Sequence, residues 1–419
     1  MTELALLGGK PVRRGELSGY PPIGLEEMEE LLKVLRLGDG NRWSSNREGV
    51  THIELEEAFA EYCGVRYAVT VNTGGMALKI ALRAAGLRLG DGVLFQVNTC
   101  HAESFEVLLA GGVPIWADVD LETGGLSKAS VEETLSQVEG VRFIVPIHTW
   151  GRPEDMDIVL EVAQKRNLVV IEDCCLALGA EWRGKKVGTL GLAGVFSFGY
   201  AKPLQAGEGG MIVTDDETFA KDCRILRNRG ALWAVGEGSD VVVLGWNGRI
   251  SAFASAVALA QLRKYPQLLA CMQENARFLE EAIKAQKGLR LFREDERITA
   301  QSYTKLGFRV LPEELGVSRS LFCQALRAEG IPCQEGSFTT YRYSFFRGGE
   351  WKEWTLRREG LEELERNYCR PYPNAERFHD EVVYIPRNVL LKREGAEAAV
   401  EAIEKVCKNV SELQRLSQD

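Results

Sequence analysis

The chain is predicted to fold as an α/β protein, a three-layer structure with a mostly parallel sheet between helices, followed by a smaller α+β unit. Three observations predict this. Short apolar runs of strand length alternate with helical patterns from about residue 65 to residue 171, as expected for parallel strands buried on both faces. The pattern changes after about residue 250, towards long helices and an aromatic stretch. A chain of 419 residues also exceeds what a single core usually serves. The expected units are 1–255 and 256–419.

The first helix is predicted over 24–37, where Leu25, Met28, Leu31, Leu32 and Leu35 recur at helical spacing. A polar loop through Asn41, Trp43 and Ser44 leads to a second helix over 53–63, stopped by Gly64. Strands are expected at 65–71, 93–97, 113–119, 143–147 and 168–171. Between them, helices are expected at 74–85, 102–110, 128–138 and 156–166. Two further strands flank the segment 198–210. Beyond 250, the alanine-rich run 251–262 precedes a long helix over 265–287. Then come a strand at 300–310, a helix at 318–329 and a strand near 331–333. An aromatic, irregular stretch at 334–380 follows, then a strand at 382–386 and a helix at 394–415.

Composition excludes several classes. The formal net charge is −9 and no basic face stands out, which argues against a nucleic-acid partner. No apolar run is long enough to span a bilayer, and the first residues lack a basic-then-apolar export pattern. The ten cysteines follow no regular framework, which suits free thiols in a reducing cytoplasm. The four histidines show no metal-ligand spacing, so no metal site is expected.

The most informative stretch runs from Phe196 to Gly210. Lys202 follows a short apolar strand and precedes a glycine-rich turn, an arrangement that can hold an amine in a cleft, where it forms an imine with a carbonyl compound. Asp173 ends an apolar strand, where ligands of open α/β sheets gather. Its carboxylate can stabilise a protonated ring nitrogen or cap the next helix. Thr73, Gly74, Gly75 and Met76 run from strand into helix, and glycines there leave N–H groups open to a phosphate. Ser197 can add a hydroxyl, and Asn247 or Arg249 can reach an anion or brace a turn. Together, an imine-forming lysine, a ring-nitrogen carboxylate and a phosphate cup suit pyridoxal 5′-phosphate.

These segments resemble fold-type I pyridoxal-phosphate enzymes, specifically the DegT/StrS sugar and cyclitol aminotransferases. The likeness runs nearly the whole chain. It includes 6–12, 41–45, the run from Pro146 to Met156, Ile171-Glu172-Asp173, Lys202 with Gly207-Glu208-Gly209-Gly210, and the run from Leu244 to Arg249. The opening and the tail look most like the branch that acts on keto-cyclitols and antibiotic precursors. The resemblance implies that Lys202 carries the cofactor and shuttles the proton, and that Asp173 pairs with the ring nitrogen. It implies that Ser197 and the backbone near Gly74 and Gly75 hold the phosphate. It further implies a homodimer in which Asn247 reaches the partner's phosphate. Lys202 argues against the dehydrating branch, which has histidine there.

The chain departs from the family at Gly75, where a hydroxyl residue is usual, and at Met76, where a small one is. Cys100 stands where an aromatic residue usually covers the ring; one residue later, His101 is the alternative. Leu176 stands where glutamine or histidine usually meets the ring oxygen. The expected activity is amino transfer from glutamine or glutamate to a keto-sugar or keto-cyclitol. The rivals are a lyase, dehydratase or carbon–carbon bond former on the same fold, and a non-catalytic regulatory relative. Candidates for the acceptor pocket are Trp43, Ser44, His101, Trp150, Arg229 and Tyr341.

Overall fold

The computed structural model describes residues 3–37, 40–43, 51–357 and 359–416. Helices α1 (Leu25–Arg36) and α2 (Thr51–Cys63) precede the sheet. The alternation predicted from sequence follows: β1 (Tyr67–Val71), α3 (Gly74–Ala84), β2 (Gly92–Gln96), α4 (His101–Leu109), β3 (Val113–Ala117), α5 (Lys128–Gln137), β4 (Val141–Ile144), α6 (Met156–Arg166) and β5 (Val169–Asp173). Short strands β6 (Glu181–Trp182) and β7 (Lys185–Lys186) lead to β8 (Ala193–Ser197), β9 (Gly210–Thr214) and α7 (Glu217–Arg227). The seven strands of the main sheet lie in the order β1-β9-β8-β5-β4-β2-β3. All neighbours are parallel except at β9, which runs antiparallel to both β1 and β8. The strands of this sheet are almost wholly buried, as their apolar composition requires.

Pro266 does not divide the alanine-rich run from the long helix. They form one 33-residue helix, α8 (Ala252–Lys284), which crosses residue 255. The sequence pattern separated the alanine-rich run 251–262 from the helix over 265–287; burial of Leu259, Leu262, Tyr265, Leu269 and Met272 along one side outweighs the backbone hydrogen bond that Pro266 lacks. Strands β10 (Leu289–Leu291), β11 (Ile298–Ala300), β12 (Lys305–Val310), β13 (Gln334–Glu335) and β14 (Val382–Pro386) follow. Four of them form an antiparallel sheet in the order β10-β12-β14-β13, and β11 joins β6 and β7. The predicted strand 300–310 is therefore two strands, separated around Tyr303, whose φ is 46°.

The stretch 334–380 is not irregular. It carries short helices at Ser344–Arg347, Trp351–Trp354, Leu361–Cys369 and Pro373–Glu381. Its aromatic side chains give the reason: Phe346, Tyr368 and Tyr372 close around Trp116 of β3, with ring centroids 4.6, 4.8 and 6.4 Å away. This segment covers the edge of the main sheet, whose last strand is β3.

Helix α1 buries two acids. Glu27 and Glu30 are buried against α8, where Glu27 accepts a hydrogen bond from Gln261 and pairs with Lys264, and Glu30 pairs with Arg263. Leu25, Met28, Leu32 and Leu35, four of the residues whose spacing predicted the helix, point outward, between 45 and 70% exposed.

Candidate active site

Asp173 sits at the carboxyl end of β5, between β4 and β8, and is 4% exposed. Its backbone continues the parallel pairing, donating to the Pro146 carbonyl (2.9 Å) and accepting from the His148 amide (3.1 Å). The carboxylate Oδ1 accepts the Cys175 amide at 2.9 Å. The Cys175 thiol also hydrogen-bonds the carboxylate, so Cys175 fixes the side chain from both its backbone and its sulfur.

Lys202 lies in the loop between β8 and β9, and its ammonium feels the charges of Cys175, Asp173, Glu103 and Cys100. Burial opposes the charge, but these groups outweigh it and raise the pKa above the ordinary lysine value. The two residues singled out by sequence are therefore near enough to interact. The loop is tied down from distant parts of the chain. The Arg387 guanidinium donates to the Lys202 carbonyl at 2.7 Å and to the Ala201 carbonyl, while the Tyr20 hydroxyl donates to the Pro203 carbonyl. Arg387 also lies over the Tyr20 ring, 4.4 Å from its centroid. Ala201 has a φ of 62°, a conformation that costs a residue with a Cβ about 1–2 kcal/mol and that these bonds sustain. Arg387 is buried and its role was not legible from sequence, since no spacing links it to Lys202 across 185 positions. Replacing Arg387 by alanine is expected to release the loop and lower kcat about 10- to 100-fold with a smaller change in KM. Steady-state kinetics check it; unchanged kcat removes the positioning role.

The turn expected to cup a phosphate lies where β1 enters α3. Thr73 caps the helix, its hydroxyl accepting the Met76 amide at 3.0 Å. The Gly74 and Gly75 amides stand in the first turn, where no intrahelical acceptor exists. A Cβ at Gly74 would lie 2.5 Å from the Ser197 Cβ and 3.2 Å from the Cys175 sulfur. Only glycine lets the helix end approach β8 so closely, which leaves bare N–H groups beside a hydroxyl, the chemistry a phosphate needs. At Gly75 the space for a Cβ is taken by the Glu106 carboxyl. That carboxylate is paired with Lys79 at 2.7 Å, so its charge does not stand alone beside an anion site. Met76 is accommodated beneath Gly248, where a Cβ would come within 3.0 Å of the methionine Cγ. Asn247 is exposed; its carbonyl accepts from the Asn72 side chain at 3.4 Å.

Of the ring-facing candidates, Cys100 caps α4 and feels the charges of Lys202 and Asp173, and burial raises its thiol pKa. His101 is exposed, edge-on to Phe105 and Tyr343. The pocket is therefore met by Cys100 rather than by the alternative, His101. The Leu176 carbonyl is held by the Ser302 hydroxyl at 2.9 Å and by Thr304, and its side chain packs on the main core. Two groups escaped the sequence reading. Glu103, on the first turn of α4, feels Asp173 and Lys202. Lys305, at the start of β12, feels Lys202 and Arg387. In sequence Glu103 reads only as an acidic residue suited to a helix start, and Lys305 as one lysine in a strand.

The acceptor-pocket candidates scatter. Trp43 is 38% exposed and edge-on to Phe253. Ser44 lies outside the described residues. Arg229 is exposed in the left-handed region (φ 63°), its amide bonded to the Trp246 carbonyl. Trp150 and Tyr341 are core residues: Trp150 packs on Phe292, Phe378 and Tyr384, and Tyr341 is fully buried against Tyr372. Core packing, the plainer of the two readings of these aromatics, describes both of them here.

His148, Glu172 and Cys174 also lie together in the interior. The His148 Nδ1 accepts the Glu154 amide at 2.9 Å, so Nε2 carries the proton and faces Glu172 at 3.2 Å. Glu172 accepts the Gly188, Leu190 and Gly191 amides. The lone pairs are spent on the turn that supports β5, which makes the cluster a brace.

Comparison with known proteins adds to this geometry. The model of the DegT/DnrJ/EryC1/StrS aminotransferase family matches residues 23–404. A putative L-glutamine:3-amino-2,3-dideoxy-scyllo-inosose aminotransferase of Streptoalloteichus tenebrarius is 32% identical, covering 98% of this chain and 99% of its own. The L-glutamine:scyllo-inosose aminotransferase of Streptomyces griseus is 31% identical, covering 99% of this chain and 100% of its own. Among solved structures, an aminotransferase from Psychrobacter cryohalolentis superposes with a TM-score of 0.83 at 27% identity, over 94% of this chain and 100% of that one.

Proposed function

The chain belongs to the DegT/DnrJ/EryC1/StrS aminotransferase family, and from that premise we propose that it moves the amino group of L-glutamine to the carbonyl of a keto-cyclitol or keto-sugar in a biosynthetic pathway. It is an aminotransferase, and its cofactor is pyridoxal 5′-phosphate. The observation that supports the reading is the electrostatic interaction of the Lys202 ammonium with the buried Asp173 carboxylate at the end of β5.

When bound, the cofactor supplies an aldehyde that bonds amines and a ring that delocalises the electron pair left by a broken C–H bond. The residues do the rest. Lys202 Nζ would take the proton from the donor's α-carbon and give it up again on the far side of the shared nitrogen, a transfer that needs a mobile amine on a fixed loop. The Asp173 carboxylate holds a proton at the ring nitrogen. The Gly74 and Gly75 amides and Ser197 hold the phosphate, so the ring cannot slide as protons move.

Lys305 serves the donor's carboxylate in this proposal. Its ammonium lies 3.8 Å from the Tyr384 ring centroid and, among the described residues, makes no salt bridge. Burial, then Arg387 and Lys202, push its pKa down to about 8. It is a cation below that pH and neutral above it. The KM for glutamine is therefore expected to be flat below pH 8 and to rise up to about tenfold per pH unit above it. Lys305→Met should raise KM about tenfold at neutral pH, leave kcat within a few-fold and flatten that rise. An unchanged KM assigns Lys305 to packing.

A homodimer completes the proposal. The outward stripe of α1, Tyr200 at 89% exposure and the exposed run Val241–Leu244 are apolar surface of the kind a partner subunit covers. Exposed Asn247 is the residue we assign to the partner's phosphate. No helix among the described residues is long and apolar enough to cross a membrane. A cytoplasmic location is consistent with cysteines that are all free.

The test supplies L-glutamine labelled at its α-nitrogen together with keto-inositols and nucleotide-linked keto-sugars. Label in a cyclitol or sugar amine is the expected result. Release of water, ammonia or carbon dioxide without label transfer replaces the reading with an elimination or decarboxylation on the same fold.

A further inference from the structure

Glu103 occupies the first turn of α4, where its carboxyl feels both Asp173 and Lys202. Part of its position is local. Its carboxyl bonds the Thr99 side chain and its own backbone amide, as a glutamate near a helix start often does. Its Oε2 is buried and, among the described residues, has no hydrogen-bond partner. A buried carboxyl oxygen left unpaired is costly, so a ligand that pairs with it gains. Glu106 shows the contrast on the same helix, since its buried oxygen is paired with Lys79.

The groups that face Glu103 narrow the form in which it enters the pocket. Asp173 on β5 presents a like charge and Lys202 an opposite one, and the Cys100 and Cys175 thiols also feel the carboxyl. Two neighbouring carboxyls in a buried site do not both ionise readily. Glu103 is the one pushed towards the neutral form, its pKa raised to about 8, first by burial and then by Asp173.

We infer that Glu103 is a second acid facing the cofactor, and that its Oε2 enters the site as a neutral carboxyl that donates a hydrogen bond to an acceptor atom of the bound cofactor. The inference rests on the proposed function for the identity of that ligand. It also bears on Leu176, which offers no donor from its own side chain. Glu103 is the polar group that can supply one from the opposite element.

The test uses the holoenzyme and reads the absorption of bound cofactor from about pH 6 to pH 10, alongside cofactor affinity, with no turnover required. The wild type should show a spectral change with a midpoint near pH 8. Glu103→Gln, which keeps a neutral donor but cannot ionise, should lose that change and bind the cofactor within a few-fold of wild type. Glu103→Ala should bind it about tenfold more weakly. The inference is overturned if Glu103→Gln keeps the wild-type spectral midpoint, or if Glu103→Ala keeps wild-type affinity and loses only thermal stability, which marks a helix cap. A wild type that binds the cofactor and shows the titration but transfers no amine would sink the proposed function and leave Glu103's role standing.

Discussion

Lys202→Ala is expected to abolish amine transfer, a loss of at least about four orders of magnitude, in a protein that remains folded and still binds cofactor. The size follows from two roles in one atom. Nζ is both the amine that bonds the cofactor's carbonyl carbon and the base that takes the donor's proton, and no other described side chain in the pocket offers a second such amine on the fixed loop. Lys305 is nearby but enters from β12 and lies against the Tyr384 ring. The fold should survive because the loop is held through its backbone. The Arg387 and Gln205 side chains bond the Lys202 carbonyl, which alanine retains. Lys202→Arg separates charge from chemistry: a guanidinium keeps the cation beside Asp173 but does not give up a proton near neutral pH, so it should be as inactive as alanine. Added small amines should restore part of the activity of Lys202→Ala by supplying the missing base. Single-turnover measurements with a melting curve for each variant decide it; turnover within tenfold of wild type would remove Lys202 from the mechanism.

How far the site was legible depends on whether its parts were local in the chain. Lys202, Asp173 and the Thr73-to-Met76 turn each end an apolar run at a strand–loop or strand–helix junction, so periodicity alone placed them at one edge of a sheet. The parallel alternation from β1 to β5 was legible for the same reason. What failed was set by tertiary packing. The pattern split 251–262 from 265–287, yet α8 runs through Pro266 because the buried side of the helix outweighs one missing bond. The stretch 334–380 read as irregular, yet Phe346, Tyr368 and Tyr372 close around Trp116 and order it into short helices. The helical spacing of α1 was legible, but not that buried Glu27 and Glu30 find cations on α8 while most of its apolar residues point outward. Arg387, Glu103 and Lys305 acquire their meaning only from what lies beside them, and sequence spacing carries none of that.

Asp173→Asn is the second large effect, an expected fall in kcat of about 10³-fold with cofactor still bound. The substitution conserves shape. Asparagine Oδ1 can keep accepting the Cys175 amide, so the turn after β5 should hold and stability should change little. The charge is what disappears. An amide at the ring-nitrogen edge cannot favour the protonated ring, and the electron pair released when Lys202 removes the donor's proton then has a poorer sink. Two linked shifts follow, and their signs are fixed. Asp173 is among the groups that raise the Lys202 pKa, so removing it lowers that pKa. Burial, and then Asp173, raise the pKa of Glu103 to about 8, so in Asp173→Asn the Glu103 midpoint should fall below its wild-type value, while burial keeps it above an exposed glutamate. A purely structural aspartate predicts a different pattern, with lower thermal stability, unchanged kcat and an unmoved midpoint. Measuring kcat, the spectral pH titration and the melting temperature on the same preparation separates the two; kcat within tenfold of wild type would take the carboxylate out of the chemistry.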